Sequence, residues 1–436
     1  MPPPRRRSSQ LPVIMSALNV QVFLRRALAA FTYRDFRILW LGAFTSTVGT
    51  WIQKVAQSWL ILDLTKSAFS SHEAPGRTMS AFYLGLDDFL GQLPILLLTL
   101  IGGVIADRHD RRHLLISSQY VQMATAFTLA ALVFTDAVRI WHILALSFTA
   151  GLAQAFGGPA YQSLVPSLVD RKDLPNAIAL NSIQFNLARV IGPLLAGGMM
   201  AAFGIALCFG INGLSFLVVI LALVSLRVKH IRPTEHKPML QELQGGLAYV
   251  RSQPAIMGLT VLAFLTTFLG LPLLTFLPIF ASEIFAGDVS RYTVMMAYSG
   301  AGAVVGALVI AWLGRFKRMG LTLLLVQLAF GALVTAFAVS RVLWLSHLLL
   351  FLDGAALVMV FSLTASLVQL IVPDHLRGRV VSIYMVAFRG GMPLGSLWGG
   401  YAASLTSAPF VLAVNGGLVS LVSVYFLLRG RGVKEL

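Results

Sequence analysis

Six charged side chains fall inside long apolar stretches of the chain: Lys54, Asp87, Asp88, Arg189, Asp353 and Arg389. A carboxylate in such a place can take up and release a proton, and a cation can hold an anion; burial and the nearest partner govern both. A charge left facing lipid costs at least about 2.5–3.5 kcal/mol, so each of the six is a candidate for a substrate or proton pathway, or else for an ion pair that fixes helix register. Depth, counted at 1.5 Å per helical residue, suggests who meets whom. Lys54 lies nine residues before Asp63 at the end of its stretch, roughly 13 Å, and Asp87 eight residues into the next, roughly 12 Å. Lys54 is therefore expected to meet Asp87 or Asp88, and only one of them, because adjacent helical side chains diverge by about 100°. Asp353 and Arg389 both fall near mid-depth and form the second expected pair.

Other chemistry lacks its apparatus. None of the eight histidines lies in an HExxH motif, and neither a GxSxG elbow nor a GxxxxGK[ST] phosphate loop occurs. The single cysteine, Cys208, excludes an intrachain disulfide, a CxxC metal site or a redox pair. No enzyme activity, cofactor or metal site is expected.

The elements that must position the six charges are membrane spans. Of the 436 residues, 57% are hydrophobic and only 11% charged, too few charges to cover a soluble protein of this size. Twelve stretches reach the roughly 20 residues a helix needs to cross a bilayer. They run approximately over 36–62, 79–106, 114–134, 140–158, 175–203, 207–226, 256–280, 292–313, 321–340, 343–368, 380–405 and 410–428. Their continuity predicts helices rather than the short alternating strands of a barrel. Prolines inside them, such as Pro94, Pro193, Pro272, Pro278 and Pro393, are expected mostly to serve helix packing.

The net charge of +16 is a topological signature, not a nucleic-acid footprint. With a cytoplasmic N-terminus, 25 of the 33 Lys and Arg fall in cytoplasmic segments, five in outer loops and three within spans. Both termini are therefore expected inside, in a multi-pass protein of the cell membrane. Residues 1–35 read as a basic tail with an interfacial segment or, equally, a disordered tail. They precede a first bundle at 36–227, a cytoplasmic linker at 228–253, a second bundle at 254–428 and a tail at 429–436. The halves repeat weakly: Arg189 stands four residues before Pro193, as Arg389 does before Pro393, and Asn212-Gly213 has a counterpart in Asn415-Gly416. Like-oriented six-span halves are a common build of secondary transporters.

The sharpest local pattern joins spans two and three: Gly103, Asp107, Arg108, Arg111 and Arg112. Glycines there allow close helix approach, Asp107 suits the positive end of a neighbouring helix, and the arginines suit counter-charges and lipid head groups. These residues resemble the signature of the major facilitator superfamily, Gly-x-x-x-Asp-Arg/Lys-x-x-Arg-Arg/Lys, position by position. Phe36–Trp40, Val48–Ala56, Arg189–Pro193 and Pro373–Arg379 extend the resemblance to the bacterial branch of enterobactin and macrolide efflux proteins. Three departures stand out: Ser70–Arg77 looks like extra outer-loop length, span four carries Gln154 but no arginine, and the glycines after Pro193 are spaced by three.

The resemblance implies an all-α membrane protein of twelve transmembrane helices in two pseudo-symmetric six-helix halves, the major facilitator fold. It implies drug or siderophore export coupled to proton entry by alternating access, with Asp107 and the Pro373–Arg379 loop helping to close the cytoplasmic side. The expected partners are a small-molecule substrate, protons and the lipid bilayer, with no nucleic acid, and a monomer is expected. An importer or facilitator of a small metabolite is the alternative on the same fold, and a channel or structural subunit a more distant one.

Overall fold

The computed structural model describes residues 28–69, 75–108, 110–227, 247–429 and 432–436. Twelve long helical segments follow one another among these: α1 Arg34–Phe69, α2 Pro75–Arg108, α3 Arg111–Phe134, α4 Ile140–Leu164, α5 Leu174–Phe203, α6 Ile205–Val224, α7 Pro254–Ile284, α8 Val289–Leu313, α9 Met319–Val339, α10 Leu343–Ile371, α11 Asp374–Leu405 and α12 Ala408–Arg429. Ten of them are long and apolar enough to cross a bilayer on composition alone. The other two, α1 and α3, are long enough at 36 and 24 residues. Their apolar runs are diluted by side chains that bond to neighbouring helices or to their own turn, such as Gln53 and Gln57 in α1 and Ser118 and Gln122 in α3.

Several expected boundaries move. Helix α2 begins at Pro75, so the stretch 70–77 is not all loop; residues 70–74 lie outside the described residues, as do the basic tail over 1–27 and the linker over 228–246. The seventh span is interrupted. Its first part ends at Gly270, and a new segment starts at Pro272, whose ring removes one backbone donor. The last turn, Phe280–Ile284, widens into a π-helix.

Within each half the same helices pair. Helix α2 packs on α4 and α1 on α5; in the second half α8 packs on α10 and α7 on α11. Two seams join the halves, α2 against α11 and α5 against α8. These exchange under the pseudo-twofold relation implied by the repeat of 200 residues. At the first seam a Cβ on Gly85 would lie 2.1 Å from the carbonyl oxygen of Ser396, and one on Gly400 2.6 Å from that of Ala81. Only glycine permits backbones this close.

The molecule has a basic end, where Arg111, Arg112, Arg171, Lys172 and Arg315–Arg318 lie, and an opposite end. The joining contacts gather toward the opposite end. There Trp59 stacks on Tyr292 at 6.2 Å, Lys66 of α1 bonds to Ser282 of α7, and Gly197 of α5 meets Thr293 of α8. Along α2 and α11, Gln92 reaches Met392 at 3.1 Å and Leu96 meets Gly390. Among the described residues the halves are thus closed together at the opposite end.

At the basic end Asp110 caps α3, accepting from the backbone N–H of Arg112 at 2.8 Å and of His113 at 3.4 Å. Partial burial works against its charge, but these bonds and the His113 ring outweigh it and hold the carboxyl below the ordinary aspartate range. Asp110→Ala is expected to cost about 0.5–2 kcal/mol, read as a lower unfolding temperature of the purified protein. A lowered folded value means this stability is fully present above the unfolded aspartate pKa and fades as pH falls through the folded one, so the difference between variant and parent shrinks only in acid.

Candidate functional site

Lys54, Asp88, Arg189 and Asp353 converge on the region between the halves, and only the first of the two pairs that depth suggests is found. Lys54 of α1 reaches Asp88 of α2, Nζ to Oδ1 at 3.4 Å, and lies 5.8 Å from the ring centre of Trp51. The other oxygen of Asp88 accepts from Ser396 of α11 at 2.7 Å, and Ser396 in turn lies 3.3 Å from the hydroxyl of Thr275 in α7. One carboxylate therefore links α1 and α2 of the first half to α7 and α11 of the second.

Asp87 points elsewhere, as adjacent helical positions require. Gln57 of α1 donates to both its oxygens at 2.9 and 2.8 Å, and Ser147 of α4 donates at 2.5 Å. It is a hydrogen-bonded carboxylate inside the first half, without a cation in direct contact among the described residues.

Asp353 corrects the second expected pair. It is 2% exposed, its Oδ1 has no hydrogen-bond partner among the described residues, and the cation whose field reaches it is Arg189, not Arg389. The packing explains this. The backbone at Arg189 in α5 runs beside Gly300 of α8, and Gly354 of α10 presses on the carbonyl of Ser299, so α5 and α10 touch α8 at adjacent positions and their two charges are brought to one place. The hydroxyl of Ser299 is itself buried and unpartnered there. A carboxylate of one half thus faces a guanidinium of the other, near mid-depth.

Arg389 is left over. It is exposed, and it shares a face of α11 with Ser396, seven residues on, which contacts Asp88. Among the described residues no carboxylate accepts from it.

The loop motif divides. The backbone is helical through Gly103, Asp107 and Arg108, whose side chains lie outside what the structure describes, as does residue 109. Arg111 donates to the carbonyl of Ser163 at 3.3 Å and Arg112 to that of Val224 at 2.5 Å. Here the two arginines hold the carboxyl ends of α4 and α6, where cations are favoured, instead of being free for lipid alone. The reasoning from sequence missed Gln57, Ser147, Thr275 and Ser396. Gln57 was legible as the next turn after Lys54 on one face; a lone serine or threonine in an apolar span gives no such signal.

Residues 25–431 match the family described as transmembrane secretion effectors, a branch of the major facilitator superfamily. The chain belongs to that family. A staphyloferrin A transporter of Staphylococcus aureus is 24% identical to this secretion effector over 401 residues, covering 90% of this chain and 96% of its own. An enterobactin exporter of Citrobacter koseri is 25% identical over 414 residues, covering 95% and 96%. A crystal structure of a POT family transporter in complex with a thioalcohol-conjugated peptide has the same fold, with a TM-score of 0.70 at 11% identity over 92% of this chain and 96% of that one. The all-α fold of two six-helix halves and the superfamily expected from the motifs are met. This secretion effector is a multi-pass membrane protein and a secondary transporter of small molecules by alternating access, not an enzyme.

Proposed function

We propose that the chain exports a small amphipathic molecule from the cytoplasm in exchange for protons. Asp353, facing Arg189 across the two halves, acts as the proton-accepting group, and Lys54, Asp87, Asp88 and Arg389 line the pathway. The observation that carries the reading is that buried carboxylate, set against the cation of the other half with one oxygen unpartnered. A proton on Asp353 removes half of an attraction between the halves, so protonation and rocking are linked. The names of two relatives, an enterobactin exporter and a macrolide efflux protein, support the outward direction.

The basic end is the cytoplasmic end in this reading, with both termini there by the positive-inside bias, and the protein acts as a monomer in a bacterial cytoplasmic membrane. Residues 228–253 then link the bundles 36–227 and 254–428 on that side. The form described is closed toward the outside. Gly103, Asp107, Arg108, Arg111, Arg112 and the Pro373–Arg379 loop belong to the cytoplasmic gate that closes in the opposite form.

Purified protein in sealed vesicles tests this. Saturable movement of a siderophore or macrolide, accelerated by a proton gradient of the right sign and abolished when the gradient is collapsed, is the expected result. Gradient-independent ohmic current, or uptake in the import direction only, would overturn it. In cells, deletion is expected to raise susceptibility to at least one member of a drug and siderophore panel scanned over external pH.

A further inference from the structure

The intramembrane charges are equal in number, three cations and three carboxylates, yet their partnerships are not balanced. Asp88 is taken by Lys54 and Ser396, Asp87 by Gln57 and Ser147, and Asp353 by the field of Arg189. Arg389 has no hydrogen-bond acceptor and no carboxylate in contact among the described residues, although a guanidinium presents five donors in a planar fork suited to a carboxylate.

Its position narrows what can satisfy it. Arg389 lies fifteen residues from the start of α11 at Asp374, about 22 Å along the axis, and about as far from its end at Leu405. Lipid phosphates sit at the bilayer surfaces, roughly 15 Å from the midplane. The residue projects from the same face of α11 as Ser396, toward the inter-half region, and not from the lipid-exposed stripe of Leu394, Trp398 and Tyr401. Two methionines flank it on that face. Met385, exposed, lies one turn before it, and Met392, which contacts Gln92 of α2, lies one turn after. Methionine offers a polarisable apolar surface that adapts to varied shapes. A fixed cation bordered by adaptable apolar side chains, between the moving halves, is a receptor for a molecule with one acid group and an apolar body.

We propose that Arg389 is the anchor for a carboxylate of the transported molecule, so that the site selects organic anions over their uncharged analogues. This rests on the transport reading above and names its substrate class.

The test is binding to the full chain in lipid nanodiscs, without any gradient, using the fluorescent carboxylate 2-naphthoate and its uncharged amide, 2-naphthamide. The parent is expected to bind the carboxylate about tenfold or more tightly than the amide, the scale of one charge-assisted hydrogen-bonded contact. Arg389→Gln is expected to bind the two alike, Arg389→Lys to keep a reduced preference, and Lys317→Gln, a loop cation, to behave as the parent. Equal binding by the parent, or an undiminished preference in Arg389→Gln, overturns the proposal. If Arg389→Gln does not fold, the parent's preference and its decline in Arg389→Lys decide the matter. A preference present in phosphatidylcholine discs and absent in phosphatidylglycerol discs would assign the site to lipid phosphate and also overturn it. Charge-selective binding without gradient-driven flux would fault only the transport reading; flux without charge selectivity would fault only the assignment of Arg389.

Discussion

Asp353→Asn is expected to leave a protein that exchanges substrate across vesicles but never accumulates it: with a proton gradient imposed, both sides come to equal concentration. The amide keeps the size and hydrogen-bonding capacity of the acid but cannot exchange a proton, so the outward and return movements lose their link to the gradient. Retention of the parent's accumulation in this variant removes Asp353 from the coupling role. A companion substitution separates coupling from stability. Arg189→Gln removes the cation whose field reaches a carboxylate that is 2% exposed, and a lower unfolding temperature is expected because the charged form of that buried group then has no counter-charge. Adding Asp353→Asn to Arg189→Gln is expected to return most of that loss, seen as recovery of the unfolding temperature, because no uncompensated charge then remains.

Gly85→Val is expected to shift the carrier away from the form described here. Its Cβ would meet the Ser396 carbonyl at 2.1 Å and the Cα of Gly400 at 3.2 Å, so α2 and α11 must separate. Overpacking of this kind costs about 1–3 kcal/mol, and where the cost falls on one state only it moves the population ratio about five- to 150-fold. The readout is the maleimide reaction rate of Thr293→Cys, a position 3% exposed against Gly197, in a Cys208→Ser background. A rise in rate by that factor is expected; an unchanged rate means that forcing α2 from α11 does not open the α5–α8 seam, so the two seams do not move together.

The spans were legible because apolar length is a one-dimensional property, and so was the meeting of Lys54 with Asp88, since the two helices are consecutive and depth nearly decides the matter. The partner of Asp353 was not legible for a specific reason. Arg189 and Arg389 are repeat counterparts, each four residues before a proline, so they lie at like depths and counting residues cannot choose between them. The choice is made by azimuth: which helices lie side by side, and which glycines let α8 touch α5 and α10 on successive residues. The break in α7 was visible only as Pro272, one proline among several; the π turn at Phe280–Ile284 is a hydrogen-bond register that composition does not encode.

The separation of Arg389 from Asp353 has an electrical consequence. One charge is exposed and unpaired, while the other is buried within the field of Arg189, so on the proposed reading an anion bound at Arg389 and a proton bound at Asp353 occupy different places. With a cell interior negative to its surroundings, an anion moving outward and a proton moving inward both transfer charge in the favoured sense. Each elementary charge carried across is worth about 2.3 kcal/mol per 100 mV. Such a carrier draws on voltage in both strokes, and it continues to expel its cargo when the pH difference alone has vanished.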